Sequence, residues 1–296
     1  MDKQKFGGIY TALLTPYDKN NKINDKELEK LVKFNLKNGA SGFYVTGSTG
    51  EVFMLSKEER KHVMEVVRDA SEGKATLIAH IGTINVNEAA ELGKYAKELG
   101  YDAVSSVAPY YFKFSANEIK DYYCYLADES ALPMLVYHIP AFSGVNMGAS
   151  DLAEYLRDDR FLGIKYTSND FFTLEQCKTN FPDKIVYNGY DEMCLCGLMM
   201  GADGAIGSTY NFMADKFVKI RKLFNEGDIK GAQEIQKQAN RIITVLCQVG
   251  VMAGEKEVLN QLGFDFGNCR KPFGLLNDEQ KALIAKEIIP FVTAEL

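Results

Sequence analysis

Short, nearly unbroken apolar runs alternate along this chain with longer stretches in which charged residues recur at helical spacing. Runs such as "TLIAHI" and "MLVYHI" are apolar on both faces, as suits strands of a parallel sheet covered on both sides by helices. Eight segments read as strands: Gly8–Pro16, Ser41–Thr46, Thr76–Ile81, Ala103–Ala108, Met134–Ile139, Phe161–Thr167, Lys184–Asn188 and Gly204–Ser208. The stretches between them open on helix-start signals. Ser56 with Glu59 and Ser115 with Glu118 form capping boxes, and Asn24 opens a helix that stops at Gly39.

Eight strand–helix units in roughly 210 residues predict a closed α/β (β/α)8 TIM barrel. A doubly wound open sheet is the alternative. It calls for a glycine-rich fingerprint after the first strand, and "YTALLTPYDKNNK" has none. From Asp228 onward strand signals cease. Residues 1–227 therefore read as the barrel and 228–296 as a helical extension packed on it, within one domain.

Composition narrows the function classes. The 296 residues are 46% hydrophobic, ample for one large core. A net charge of −6 without a basic cluster leaves no footprint for nucleic acid. No apolar run reaches the ~20 residues of a membrane span, and the charged start "MDKQKFGGIY" lacks a signal core. The expectation is a soluble, cytoplasmic protein. The six cysteines form no CxxC pair and read as buried reduced thiols; the three histidines have no metal-binding spacing.

In such barrels the chemistry sits at the carboxyl ends of the strands. Those ends are rich in hydroxyls, glycines and carboxylates: "TGSTGE", "APYYF", "YHIPAFSG", "KYTSND", "NGYDE" and "IGSTYN". Side chains alternate along a strand, so Gly163, Lys165 and Thr167 share a face. With small Gly163 at the crowded barrel centre, Lys165 points inward. There, desolvation lowers its pKa toward the range of a nucleophilic amine that forms Schiff bases with ketones. The competing reading is an ion pair with Asp191 or Glu192, and parity alone gives the two similar weight. Tyr137, ending the neighbouring strand, reads either as a proton carrier or as an ordinary strand aromatic. The Gly47–Glu51 turn offers hydroxyls and backbone N–H groups to a carboxylate, though serine and glycine are also what turns use.

Taken together, "GSTGE", "YHIP…SG", "GIKYTS" and "GYDE…GADGAIGSTYN" resemble, in order and spacing, the N-acetylneuraminate lyase and dihydrodipicolinate synthase superfamily. The resemblance runs from about Gly8 to the C-terminal helices, and within the superfamily it is greatest to the lyases. It implies a cofactor-free and metal-free class I aldolase, usually homotetrameric, that cleaves sialic acid (N-acetylneuraminate) to N-acetylmannosamine and pyruvate.

The same resemblance implies a role for each matching position. Lys165 becomes the Schiff-base lysine and Tyr137 the proton shuttle. Ser48 and Thr49 hold the pyruvyl carboxylate, with the Ser48 hydroxyl in the relay. Thr167, Gly189, Asp191, Glu192 and Ser208 bind the polyhydroxylated chain. Tyr111, or else Tyr110, completes the relay of a neighbouring subunit. One departure matters for specificity. Dihydrodipicolinate synthases carry an arginine where Phe142 stands, and Phe142 offers no partner to a carboxylated aldehyde. Two alternatives stay open: another pyruvate-dependent aldolase or synthase of the superfamily, and a non-catalytic barrel.

Overall fold

The computed structural model describes residues 3–292. Its eight strands are β1 (Gly8–Ala12), β2 (Gly42–Val45), β3 (Thr76–His80), β4 (Ala103–Val107), β5 (Met134–His138), β6 (Phe161–Tyr166), β7 (Ile185–Asn188) and β8 (Gly204–Gly207). All pair in parallel with their sequence neighbours, and β8 returns to β1, closing the barrel. A helix follows each strand: α1 (Asp25–Lys37), α2 (Lys57–Ser71), α3 (Val86–Glu98), α4 (Ala116–Ser130), α5 (Ala149–Leu156), α6 (Phe171–Asn180), α7 (Cys194–Met199) and α8 (Tyr210–Asn225). Beyond them lie α9 (Ile229–Val249), α10 (Val251–Gln261) and α11 (Asp278–Glu287). Among the described residues no helix is long and apolar enough to cross a membrane.

The start signals act as expected. The side chains of Ser56 and Ser115 accept the N–H groups of Glu59 and Glu118, and each glutamate reaches back to its capping residue. The first strand is shorter than the apolar run that predicts it. Past Ala12 the Leu13 N–H still donates to the Tyr44 carbonyl of β2 at 3.1 Å, and only then does the chain leave the sheet and find its partners elsewhere. The Leu14 N–H donates to Asn211 Oδ1 at 3.1 Å, and the Thr15 hydroxyl donates to the Gly50 carbonyl at 2.9 Å. The cysteines correct their expectation in part: all six are free, but Cys196 and Cys247 are exposed and Cys124 is half-buried.

Two apolar layers hold the barrel. The outer one, between sheet and helices, includes Phe43, Val104, Val136, Ile164 and Val186. The inner one fills the lumen with Tyr10, Tyr44, Ile78, Leu135, Leu162, Tyr187 and Ile206, capped at the bottom by Phe6. Tyrosines suit this interior because each hydroxyl finds a partner. Tyr10 donates to the Lys5 carbonyl at 2.9 Å, Tyr187 to the Phe6 carbonyl at 2.5 Å, and Tyr44 to Ser105 Oγ at 3.0 Å.

Strand β6 departs from simple alternation. Met134 pairs with Phe161 but Leu135 pairs with Gly163, so β6 carries one extra residue, a β-bulge. Phe161, Ile164 and Tyr166 face the outer layer while Leu162 lies in the inner one. Gly163 therefore does not face the barrel centre as expected. Its φ is +157°, and a Cβ there would come 1.8 Å from the Ile185 carbonyl oxygen of β7. The bulge resets the phase so that Lys165, three residues after Leu162, again points inward. Gly163→Ala should push β6 off β7 and displace Lys165. The expected loss is about 2 kcal/mol or more of stability, with most of the turnover. Thermal unfolding and activity on the purified variant check this; wild-type values of both would show that the bulge is dispensable.

Candidate active site

Lys165 is 4% exposed at the carboxyl end of β6. Its Nζ lies 4.0 Å from the centre of the Tyr137 ring and 4.2 Å from that of Tyr44. Burial brings its pKa from 10.5 down to about 7, opposed only by the more distant charge of Asp191. The ion-pair reading fails in this geometry. Asp191, also buried, accepts the Thr209 N–H at 2.8 Å and the Thr209 hydroxyl at 2.7 Å through Oδ2. Burial raises its carboxyl to about 6 despite those bonds. Glu192 is exposed at the rim. Among the described residues no carboxylate pairs with the Lys165 amine.

Tyr137 and Lys165 are register partners in adjacent strands and point into the same lumen. Burial pushes the phenol up to about 12, and the hydroxyls of Ser48 and Thr167 beside it oppose that rise. Thr167 Oγ1 is buried with no well-formed hydrogen bond. Its space depends on Gly189, where a Cβ would sit 1.9 Å from that oxygen. Such an orphaned hydroxyl is costly unless a ligand completes it.

The Gly47–Glu51 turn is held at both ends by left-handed residues that are not glycine, Thr46 (φ +55°) and Glu51 (φ +59°). Outliers of this kind persist only where the surroundings over-determine them. Thr46 Oγ1 donates to the His80 carbonyl at 2.9 Å, and His80 Nδ1 lies 3.1 Å from the Thr46 carbonyl. The Val107 N–H donates to His80 Nε2 at 3.2 Å. That acceptance requires a neutral ring protonated at Nδ1, in keeping with a pKa that burial, Arg60 and Lys165 all depress. Between the two ends, Ser48–Gly50 forms a single 3-10 turn. Among the described residues the N–H groups of Ser48 and Thr49 have no backbone acceptor.

The structure thus gathers Lys165, Tyr137, Ser48, Thr167, Gly189 and Asp191 around one lumen mouth, with Thr49 on the same turn as Ser48. Tyr110 and Tyr111 part company. Tyr110 packs on Phe53 and lines a cavity of about 300 Å³ with Ser48, Ile139 and Phe142. Tyr111, at φ +75°, is 86% exposed and packs its ring on that of Phe112, 5.0 Å away.

Sequence reading missed two groups here. Glu255 of α10 is fully buried, and the Ser208 hydroxyl donates to its Oε1 at 2.6 Å. Burial pushes its carboxyl up to about 8. Lys256, its neighbour, pairs with Glu51 at 2.5 Å, both side chains being almost wholly inaccessible. The available signal was the charged run Glu255-Lys256-Glu257 in "VMAGEKEVLN", a helix otherwise apolar on its inward side.

The arrangement can form an imine: a buried, unpaired amine near neutrality, a phenol in a hydroxyl relay beside it, and a turn suited to a carboxylate. Comparison with known proteins agrees with this chemistry. The model of the dihydrodipicolinate synthetase family matches residues 5–289. An N-acetylneuraminate lyase of Rhizobium meliloti (strain 1021) is 44% identical over 287 residues, 97% of this chain and 95% of that one. The structure of CdNal from Clostridium difficile in complex with mannosamine superposes with a TM-score of 0.93 at 38% identity, covering 96% of this chain and 98% of that one. N-acetylneuraminate lyase from Fusobacterium nucleatum complexed with pyruvate gives a TM-score of 0.90 at 40% identity, covering 96% and 98%. With the match spanning nearly its whole length, this chain belongs to the dihydrodipicolinate synthetase family.

Proposed function

We propose that this chain is a class I aldolase that cleaves N-acetylneuraminate reversibly to N-acetylmannosamine and pyruvate. The observation that carries the reading is the Lys165 amine, buried, unpaired and brought to about 7 against the Tyr137 phenol. The similar proteins from F. nucleatum and C. difficile, in complex with pyruvate and with mannosamine, support pyruvate as one product and an amino sugar of the mannosamine type as the other.

The steps follow from the residues. The open-chain substrate docks its carboxylate on the Ser48–Thr49 turn, and the neutral amine of Lys165 attacks the C2 ketone. Loss of water gives a protonated imine, which draws electrons from the C3–C4 bond. A proton leaves the C4 hydroxyl through Tyr137 and its hydroxyl relay, the bond breaks, and the sugar aldehyde departs. The remaining enamine takes a proton at C3, and water releases pyruvate and Lys165. Thr167, Gly189, Asp191, Glu192 and Ser208 bind the sugar chain, whose hydroxyls donate to the acidic pair. Tyr111 belongs to this reading as a residue presented to a second copy of the chain. Its exposure beside Phe112 is what an assembled homotetramer covers.

Phe142 decides between aldehydes. It lines the cavity beside Ser48 and has no donor for a second carboxylate. With pyruvate as partner, kcat/KM for N-acetylmannosamine should exceed that for aspartate semialdehyde by at least about 100-fold, the scale of a lost charge-assisted hydrogen bond. The reverse order would overturn the substrate reading and leave the imine chemistry standing.

A further inference from the structure

Two buried, ionisable residues in sequence are hard to explain by stability. A buried ion pair is at best neutral against a well-packed apolar pair, and an unpaired buried carboxyl is unfavourable. Glu255 and Lys256 occupy consecutive positions of α10, so their side chains leave the helix about 100° apart. Strand β1 pairs with β8 on one side and β2 on the other. Glu255 reaches the end of β8, where it takes the Ser208 hydroxyl. Lys256 reaches the turn after β2, where it meets Glu51. Helix α10 thus straddles β1 and grips what lies to either side.

Each grip is tightly built. Glu51 directly follows Ser48-Thr49-Gly50, and its other oxygen, Oε2, accepts the Arg270 backbone N–H at 2.7 Å. Lys256 Nζ also donates to the Asn268 carbonyl at 3.3 Å and lies 4.1 Å from the centre of the Tyr17 ring. On the other side, the only proton of the Ser208 hydroxyl is committed to Glu255, which leaves the serine oxygen as an acceptor. Among the described residues Glu255 Oε2 has no hydrogen-bond partner. A carboxyl proton carried on Oε2 would leave Oε1 accepting from Ser208.

We propose that Glu255 and Lys256 are positioning residues for the two halves of the substrate. Through Ser208, Glu255 orients an acceptor toward a hydroxyl of the sugar; through Glu51, Lys256 holds the turn that receives the pyruvyl carboxylate. This rests on the roles of Ser208 and the Gly47–Glu51 turn proposed above. It adds that one helix sets both.

The test is a crossed pattern of KM values. Glu255→Gln keeps shape but supplies an amide that can donate to Ser208 and turn the serine proton toward the ligand. The double variant Glu51→Gln with Lys256→Met removes the ion pair without stranding a charge. Condensation is measured with pyruvate and N-acetylmannosamine varied in turn, together with borohydride trapping of pyruvate alone. Glu255→Gln should raise KM for N-acetylmannosamine about 10-fold, the effect of one misdirected hydrogen bond, and leave half-saturation of pyruvate trapping within about 2-fold. The double variant should raise half-saturation for pyruvate about 10-fold with a smaller effect on the sugar. Equal shifts of both constants in either variant, or no shift, would overturn the proposal. If the wild type traps pyruvate but does not use N-acetylmannosamine, the substrate reading fails by itself. The trapping curve of the double variant then still supports or overturns the proposal.

Discussion

Lys165→Met should yield a protein that folds, gains no mass with pyruvate and borohydride, and is more stable than the wild type at neutral pH. The loss of turnover should be on the order of 10⁴-fold or more, since no other group supplies the nucleophile. The gain in stability comes from the burial that activates the amine. A pKa brought from 10.5 to about 7 means that burial disfavours the ammonium by roughly 4–5 kcal/mol. At and below pH 7 that cost weighs on the folded state almost in full, because the unfolded chain keeps its proton in water. As pH rises from about 7 toward 10.5 the folded amine is already neutral. The unfolded amine loses its proton as well, so the penalty fades. Urea unfolding should therefore show the methionine variant ahead by about 2 kcal/mol or more at pH 7, after allowance for imperfect packing, and nearly level by pH 10. A variant less stable than wild type at pH 7 would mean that the amine has a favourable partner in the folded protein.

Tyr137→Phe carries the second large effect. The ring packs against Tyr44 and His80 with centroid separations of 5.9 and 6.2 Å, and phenylalanine keeps those contacts. Only the hydroxyl is lost, and with it the relay toward Ser48 and Thr167. Pyruvate trapping at Lys165 should survive, while cleavage of N-acetylneuraminate falls by about 10²–10⁴-fold, the range for a general acid–base group. Single-turnover measurements separate the steps: the imine forms, but the C3–C4 bond breaks slowly. Near-normal cleavage would show that water or another hydroxyl carries the proton.

The parts of the fold that could be read in the sequence are those set by local chemistry. Capping boxes at Ser56 and Ser115 and continuous apolar runs act over a few residues, so strand order and helix starts follow from them. Lys165 was legible as an inward lysine, but for an incomplete reason. Alternation from an inward Gly163 reaches the right direction from a wrong premise, since Gly163 does not face the centre. The bulge that sets that phase comes from the approach of the β7 backbone at Ile185, which no local pattern encodes. Glu255 and Lys256 stayed hidden because their partners are tertiary. Ser208 and Glu51 are distant in sequence, and a charged pair in a helix ordinarily reads as a solvated face. The early end of β1 has the same origin, since Asn211 of α8 takes the N–H that the sheet would have used.

Incubating the unmodified protein with pyruvate and borohydride over a range of pH, then mapping the adduct by peptide mass spectrometry, goes straight to the Lys165 chemistry. The expected result is one adduct per chain, on the peptide carrying Lys165, forming faster as pH rises through about 7 and levelling off above it, because only the neutral amine attacks. An adduct on another lysine, or none at any pH, would contradict it.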